Sequence, residues 1–129
     1  MNCWFRSRKI NNENLIITPY EELRPWGSWK RYLANTPATV KIIKVKPDEC
    51  LSLQTHKFRD EFWVVIKGNG LVEIGPQKKE AFLGDEFFIP KEVRHRLSAG
   101  KDGLEILEIA LGKYDENDLQ RIEDKYKRS

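Results

Sequence analysis

Residues 62–74 read FWVVIKGNGLVEI, and this stretch decides the fold class. Phe62–Ile66 is apolar on both faces, which is typical of a strand that lies between two layers. Lys67–Gly70 then supplies two glycines and an asparagine, the residues that best tolerate a positive φ angle, and Leu71–Ile74 resumes the apolar pattern. The stretch therefore predicts two strands joined by a hairpin.

From Trp29 onward, short apolar runs are separated by turn residues at intervals of about eight to twelve positions, which is typical of an all-β sandwich or barrel. Glycine-containing turns are predicted at Gly75-Pro76, Gly84-Asp85 and Gly100–Gly103. The predicted strands are Trp29–Ala34, Thr39–Lys46, Leu51–Thr55, Glu61–Ile66, Leu71–Ile74, Lys79–Leu83, Glu86–Ile89, Val93–Ser98 and Leu104–Leu111.

The two ends of the chain depart from this pattern. Residues 1–18 are mostly polar and predict an N-terminal arm that a partner subunit orders, followed by a single domain over residues 19–129. Near the other end, Leu119, Ile122 and Tyr126 recur at intervals of three and four, with acidic residues in the first turn and basic ones in the last. Residues 115–128 therefore predict a C-terminal α-helix that lies on the barrel.

Composition limits the class of protein. The chain has 129 residues, 40% of them apolar, which suits one globular domain with a real core. Its longest apolar runs hold about a quarter of the ~20 residues that a membrane-spanning helix needs, so no membrane partner is predicted. Basic residues exceed acidic ones by only 23 to 20 and the signs are interleaved, which argues against a nucleic-acid partner.

The two cysteines bear on location. Cys3 and Cys50 are far apart in the sequence, and one disulfide between them is an open alternative. No apolar signal segment follows Arg6–Lys9, however, and scattered cysteines without such a signal are more often reduced thiols. A cytoplasmic location is therefore predicted.

The sequence holds only two histidines, so their surroundings are informative. Gln54 and His56 are two positions apart at the end of a predicted strand, and their side chains therefore leave from one face. Glu61 opens the next predicted strand, and His95 lies within a later one. The two fragments are Gln54-x-His56-x4-Glu61-x6-Gly68 and Gly84-x5-Pro90-x4-His95.

These fragments resemble the paired motifs of the cupin superfamily, which are small jelly-roll barrels. The resemblance implies a cupin-type double-stranded β-helix, here with the C-terminal α-helix added. It also implies that four side chains converge inside the barrel on one divalent metal ion, namely Gln54, His56, Glu61 and His95. Gln54 stands where cupins usually have their first histidine. Such nitrogen and oxygen donors suit zinc first, with manganese, iron, cobalt or nickel as alternatives.

A more specific resemblance covers about residues 23–128. The blocks that carry it include Arg24–Gly27, Arg59-x-Glu61-x-Trp63, His95–Leu97, Ile106–Glu108 and Gly112-x-Tyr114. They are similar to the isomerase module of type II mannose-6-phosphate isomerases, which in many bacteria follows a mannose-1-phosphate guanylyltransferase. The chain departs from that pattern at Lys57, Phe58 and Phe62, where the family is rich in histidine, and at Asp48 and Glu92, where it has turn glycines.

The resemblance implies interconversion of mannose 6-phosphate and fructose 6-phosphate through a cis-enediol, in GDP-mannose and polysaccharide synthesis. A base must move a proton between C1 and C2, while a metal acts as Lewis acid on the developing oxyanion. Glu61 is a candidate base if it is not held as a ligand. Arg59 is a candidate for stabilising enediolate charge or holding the phosphate, and Lys41 for binding phosphate if it points into the barrel. The implied partners are a sugar phosphate and a second copy of the chain, in a homodimer.

Two other functions stay open. A non-catalytic cupin would bind a sugar phosphate or a nucleotide sugar, and the phenylalanines at positions 58 and 62 favour that alternative. Another metallo-cupin enzyme, such as a dioxygenase, is disfavoured by Gln54, because those enzymes more often have a histidine at that place. Metal analysis combined with an isomerase assay distinguishes the three.

Overall fold

The structure is a computed structural model that describes residues 3–4 and 17–126. All the regular secondary structure in this part of the chain is β-strand, which confirms the all-β prediction. The strands are β1 (Cys3–Trp4), β2 (Tyr20–Arg24), β3 (Gly27–Arg31), β4 (Thr39–Val45), β5 (Leu53–Thr55), β6 (Arg59–Ile74), β7 (Gln77–Ala81), β8 (Glu86–Ile89), β9 (His95–Gly112) and β10 (Gln120–Glu123). No helix that is long and apolar enough to cross a membrane occurs in the described ranges.

The contacts group into two compact units, residues 1–37 and 38–129. The first unit contains a three-stranded antiparallel sheet in the order β1-β2-β3. A tight turn joins β2 to β3, with Arg24 opposite Gly27 and Tyr20 opposite Arg31. Most of the predicted arm, residues 1–18, lies outside the described residues, and the division between an arm and one domain stays a prediction.

The second unit is a seven-stranded sheet built on two long antiparallel strands, β6 and β9. Their pairing runs from Arg59 opposite Gly112 to Ile74 opposite His95. The other strands add to these two: β4 and β5 pair with β9, β7 and β8 pair with β6, and β10 pairs with β5. Side chains from both halves of β6, such as Trp63 and Val72, belong to one buried core cluster, so the sheet folds over a single core.

The predicted hairpin at Lys67–Gly70 is wrong, and so is the turn predicted at Gly100–Gly103. Both segments lie inside the long strands, where the pairing register of β6 shifts between Val65 and Lys67 and again between Gly68 and Gly70. A Cβ on Gly68 would collide with the carbonyl oxygen of Gly103. The glycines therefore allow two backbones to approach closely at a bulged bend instead of reversing the chain.

The predicted C-terminal helix is also wrong. Gln120–Glu123 forms β10, which pairs antiparallel with β5 and places Arg121 opposite Gln54. Ile122 and Tyr126, which belong to the predicted apolar stripe, are 44% and 49% exposed. Pairing with the edge of β5 provides backbone hydrogen bonds along the strand, whereas a single short helix without a buried face is only marginally stable.

Two turns contain a non-glycine residue with a positive φ angle. Asp48 and Glu92 stand where that family has glycine, and their φ angles are 60° and 69°. A left-handed conformation costs a non-glycine residue roughly 1–2 kcal/mol. The Glu92 backbone N–H donates to the carbonyl oxygen of His56 at 2.6 Å, so this strained turn contacts a residue of the predicted metal site.

We expect Gly68→Ala to destabilise the second unit more than Gly84→Ala does. Both glycines have positive φ angles, 75° and 89°, so alanine is strained at either place. Nothing lies within 4 Å of a Cβ built on Gly84, whereas at Gly68 the carbonyl of Gly103 is in the way. The expected loss in unfolding free energy is about 1–2 kcal/mol for Gly84→Ala and about 1–3 kcal/mol more for Gly68→Ala. Urea denaturation measures both, and equal losses would contradict the close approach at the bend.

Candidate metal centre

Three of the predicted ligands meet in the second unit. His56 follows β5, Glu61 lies on β6 and His95 begins β9. Glu61 and His95 lie near opposite ends of the pairing of β6 with β9, so the folding of the sheet over its core brings them together. One ligand atom from each lies within 4.8 Å of the others, and all three residues are buried. Nε2 of His56 is 3.3 Å from Oε2 of Glu61, and Nε2 of His95 is 3.5 Å from Oε1.

Gln54, the fourth predicted ligand, lies directly opposite His95 in the pairing of β5 with β9. Side chains of directly opposed residues in an antiparallel pair project from the same face, so Gln54 is on the face that carries His95. Its Oε1 accepts a hydrogen bond from Oγ of Ser52 at 3.1 Å. Its role as a ligand stays a prediction.

Backbone carbonyl groups hold both imidazole rings. Nδ1 of His56 is 2.6 Å from the carbonyl oxygen of Asp118, and Nδ1 of His95 is 2.9 Å from that of Val93. Because a carbonyl oxygen only accepts hydrogen bonds, Nδ1 carries the proton in each ring and Nε2 presents a lone pair toward Glu61. Histidines that ligate metals are held in this way, with the other ring nitrogen donating to an oxygen atom.

The charges and lone pairs of the cluster fit a cation. Burial lowers the pKa of His95 to about 4 and lowers the pKa of His56 as well, so both rings are neutral at pH 7. Nε2 of His95 and Oε1 of Glu61 are buried and have no hydrogen-bond partner among the described residues. Buried polar atoms rarely lack a partner, and lone pairs that face each other repel. A divalent ion between these three side chains would satisfy all of them.

Arg59 is buried beside the cluster. Its Nε donates to Oε2 of Glu61 at 2.9 Å, and its Nη2 lies 3.3 Å from Nε2 of His56. Nη1 donates to the carbonyl oxygen of Asp115 at 3.2 Å, and the ring of Tyr114 lies 4.5 Å from the guanidinium carbon. The arginine therefore faces the predicted ligands with a fixed positive charge.

Glu108 is a second buried carboxylate of the centre, and the sequence pattern did not single it out as a site residue. Nε1 of Trp63 donates to its Oε1 at 3.1 Å, and Nζ of Lys41 lies 3.3 Å from its Oε2. Burial, together with the negative charge of Glu61, raises the pKa of Glu108 to about 7. A glutamate on the core-facing side of an otherwise apolar strand is the sequence signal that points to it.

Lys41 points toward the core side of β4, while its neighbours Val40 and Ile42 are exposed on the other side. Its Nζ donates to the hydroxyl of Tyr114 at 3.1 Å, and the ammonium is half-buried. Burial works against the charge, but the contacts with Tyr114 and Glu108 raise the pKa of Lys41 above its ordinary value. The lysine is therefore charged and adjacent to the centre.

The two phenylalanines that replace family histidines lie away from the converging donor atoms. Phe62 follows Glu61 directly in β6, so its side chain projects from the opposite face of that strand. Phe58 is 57% exposed and lines an open cleft of about 470 Å³ with Lys57 and Lys113. The three converging donors are therefore unaffected by both replacements.

Comparison with known proteins identifies the family. The family model described as "Mannose-6-phosphate isomerase C-terminal" matches residues 11–124. The chain belongs to this family. It is 36% identical over 123 residues to a mannose-1-phosphate guanylyltransferase of Salmonella montevideo, which covers 94% of this chain and 26% of that protein. It is 40% identical over 111 residues to the alginate biosynthesis protein AlgA of Pseudomonas syringae pv. tomato, which covers 84% and 23%. The chain thus spans about a quarter of the length of these relatives.

The solved structures support the fold. Oxalate decarboxylase from Bacillus subtilis superposes with a TM-score of 0.62 at 22% identity, covering 67% of this chain and 24% of that one. Identity this low bears on the fold alone. The cupin barrel and the mannose-6-phosphate isomerase family, both expected from the sequence motifs, are confirmed.

We expect His95→Ala to lose most of the bound metal, because it removes one of only two imidazoles from the centre. The dissociation constant for zinc or cobalt is expected to rise at least about 100-fold, more than the loss of a supporting contact would cause. The matched control is Lys57→Ala, which changes an exposed side chain next to His56 and is expected to leave the affinity for metal unchanged. Competition with a chelator measures both, and full occupancy in His95→Ala would contradict the assignment.

Proposed function

We propose that this chain is a metal-dependent aldose–ketose isomerase domain that interconverts mannose 6-phosphate and fructose 6-phosphate. The observation that carries the proposal is the buried convergence of His56, Glu61 and His95, within 4.8 Å of one another. Membership of the mannose-6-phosphate isomerase C-terminal family supports the substrate. By the same family argument, the activity serves GDP-mannose synthesis.

These three side chains would hold one divalent ion, with zinc as the first choice and Gln54 as a fourth donor. When bound, such an ion acts as a Lewis acid that stabilises negative charge on an oxygen of the sugar. Both oxygens of Glu61 face other groups of the centre, Oε2 at 2.9 Å from Arg59 and Oε1 at 3.5 Å from His95. We therefore assign Glu61 mainly as a metal ligand. To act as a base, Glu61 would have to free one carboxylate oxygen from these contacts.

If Glu61 stays bound to the metal, a second carboxylate is needed as the base that moves the proton between C1 and C2. Glu108 is buried beside Glu61, and Trp63 fixes its position through a hydrogen bond of 3.1 Å. Lys41, 3.3 Å from Oε2, supplies the counter-charge. This geometry makes Glu108 a candidate for proton transfer, in addition to Glu61.

Arg59 and Lys41 supply the positive charges for the substrate. Arg59 is held between Glu61 and Tyr114, so its charge is already in place where an enediolate would form. Lys41 is half-buried at the edge of the centre, where its ammonium suits a phosphate group as a point charge. We therefore assign enediolate stabilisation to Arg59 and phosphate binding to Lys41.

A non-catalytic cupin that binds a sugar phosphate or a nucleotide sugar is the second candidate. The observation that favours it is the open cleft where the exposed ring of Phe58 suits stacking on a base and the ammonium groups of Lys57 and Lys113 suit its phosphates. Asp115 and Asp118 also line this cleft. The cleft lies between the residues around His56 and the segment 113–120.

We also propose the homodimer expected from the family resemblance. Among the described residues β4 pairs only with β9, so its other edge is open. Val40 and Ile42 on its outer face are 58% and 53% exposed, and an apolar edge strand is a typical pairing surface. Light scattering of the purified chain tests this proposal, and a monomer at micromolar concentration would refute it.

The chain loaded with zinc or cobalt is expected to convert mannose 6-phosphate to fructose 6-phosphate, and a chelator is expected to abolish the activity. Arg59→Ala should lower kcat at least about 100-fold if its charge acts in the transition state. Arg96→Ala is the matched control, since Arg96 pairs with Glu73 at 2.8 Å outside the centre.

Two results would contradict these assignments. An unchanged kcat in Arg59→Ala would remove Arg59 from the mechanism. Metal-loaded protein that turns over neither hexose phosphate, yet binds a sugar phosphate or a nucleotide sugar, would establish the second candidate instead.

A further inference from the structure

After β9 the chain returns over the residues that follow β5. The Lys113 backbone N–H donates to the carbonyl oxygen of Phe58 at 3.1 Å, and Arg59 donates to the carbonyl oxygen of Asp115 at 3.2 Å. β10 then pairs with β5, which carries Gln54. The segment 113–123 therefore lies along the part of the chain that holds the predicted ligands Gln54 and His56.

Asp118 makes three of the contacts between these two segments. One carboxylate oxygen accepts the backbone N–H of Lys57 at 2.9 Å, and the other accepts that of Phe58 at 3.0 Å. Its main-chain carbonyl oxygen lies 2.6 Å from Nδ1 of His56. One residue thus holds the imidazole ring and the two residues that follow it.

The carboxylate of Asp118 links the turn that carries its carbonyl to residues 57 and 58. Residues 115–118 form a turn in which the backbone N–H of the half-buried Asp118 donates to the carbonyl oxygen of Asp115. Its two carboxylate oxygens accept the backbone N–H groups of residues 57 and 58, and hydrogen bonds to a carboxylate are stronger than those between neutral groups. Two charge-assisted hydrogen bonds therefore hold the turn against residues 57 and 58.

A histidine ligand needs the correct tautomer as well as the correct position. If Nδ1 of His56 loses its acceptor, the proton is free to move to Nε2, and a protonated Nε2 cannot ligate a metal. Supporting contacts of this kind are typically worth 10–100-fold in metal affinity. The carbonyl of Asp118 is the group that holds the proton on Nδ1.

We propose that Asp118 is a positioning residue of the metal centre, which fixes the tautomer and orientation of His56 from the C-terminal segment. The inference rests on the proposed metal centre and adds to it a residue that lies 57 positions beyond Glu61 in sequence and outside the cupin motifs. The C-terminal segment is then part of the site, and not only a strand added to the edge of the sheet.

The first test is metal affinity. Asp118→Ala removes both carboxylate hydrogen bonds, and we expect the dissociation constant for zinc or cobalt to rise about 10–100-fold. Asp118→Asn keeps one acceptor oxygen and should lie between Asp118→Ala and the unsubstituted chain. The matched control is Glu49→Ala, which removes another carboxylate that binds the C-terminal segment, through Lys125 at 2.7 Å and through Tyr126, away from His56. We expect Glu49→Ala to lower the melting temperature and to leave affinity unchanged.

The second test uses the metal-free chain, so that it does not depend on activity. The sequence has only two histidines, so the ring ¹⁵N spectrum is simple to assign. Both rings of the unsubstituted chain should show the Nδ1–H tautomer. In Asp118→Ala the His56 ring should become a mixture of tautomers, while His95, held by Val93, serves as the internal control.

Each outcome is decisive. Unchanged affinity and an unchanged His56 tautomer in Asp118→Ala would overturn the proposal, as would an equal loss of affinity in Glu49→Ala. If Asp118→Ala fails to fold, the Asp118→Asn spectrum decides, and a pure Nδ1–H tautomer with full affinity refutes the proposal. Failure of the unsubstituted chain to bind any metal would refute the proposed function instead, and the tautomer measurement would still report on Asp118.

Discussion

One buried carboxylate faces two neutral imidazoles, and much of the second unit is arranged around that contact. An isolated charge in a protein interior is strongly unfavourable, so Glu61 requires positive partners close by. Arg59 provides one at 2.9 Å from the same strand, and a metal ion would provide another. In the pairing of β6 with β9, Glu61 lies opposite Ala110 near one end and His95 lies opposite Ile74 at the other, so their contact depends on the sheet folding over its core.

The pairing of β6 with β9 also explains the bend. Side chains from both halves of β6, such as Trp63 and Val72, pack in the same core, so β6 has to bend over that core and its partner β9 has to bend with it. The glycines of both strands meet at that bend, where Gly68 lies against Gly103. Because these glycines have no side chains, the two backbones can approach closely at that point, where the chain does not reverse.

Much of the candidate site follows from sequence. The spacing from Gln54 to Glu61 and the second fragment ending at His95 are local patterns, and a family resemblance translates them directly into a cluster of side chains. Glu108 and Asp118 could not be found in that way. The first depends on which face of a strand it occupies, and the second acts on His56 through a main-chain carbonyl that any residue type would supply.

The two wrong elements have physical reasons of the same kind. Asn-Gly between apolar runs is a strong hairpin signal, yet a bulged bend requires the same residues, and only pairing with β9 distinguishes the two. The stripe of Leu119, Ile122 and Tyr126 has helical spacing, but the open edge of β5 offers backbone partners that local periodicity does not report. In both cases a long-range pairing overrides a local preference.

The unpartnered donors at His95 and Glu61 have a consequence for the folded state as a whole. An ion that binds them only in the folded chain shifts the folding equilibrium by mass action, by about 2.7 kcal/mol when its free concentration is 100 times the dissociation constant. That amount is a large fraction of the stability of an ordinary small domain, roughly 5–15 kcal/mol. The abundance of the folded protein in a cell would then follow the supply of the metal, even under conditions in which no substrate is turned over.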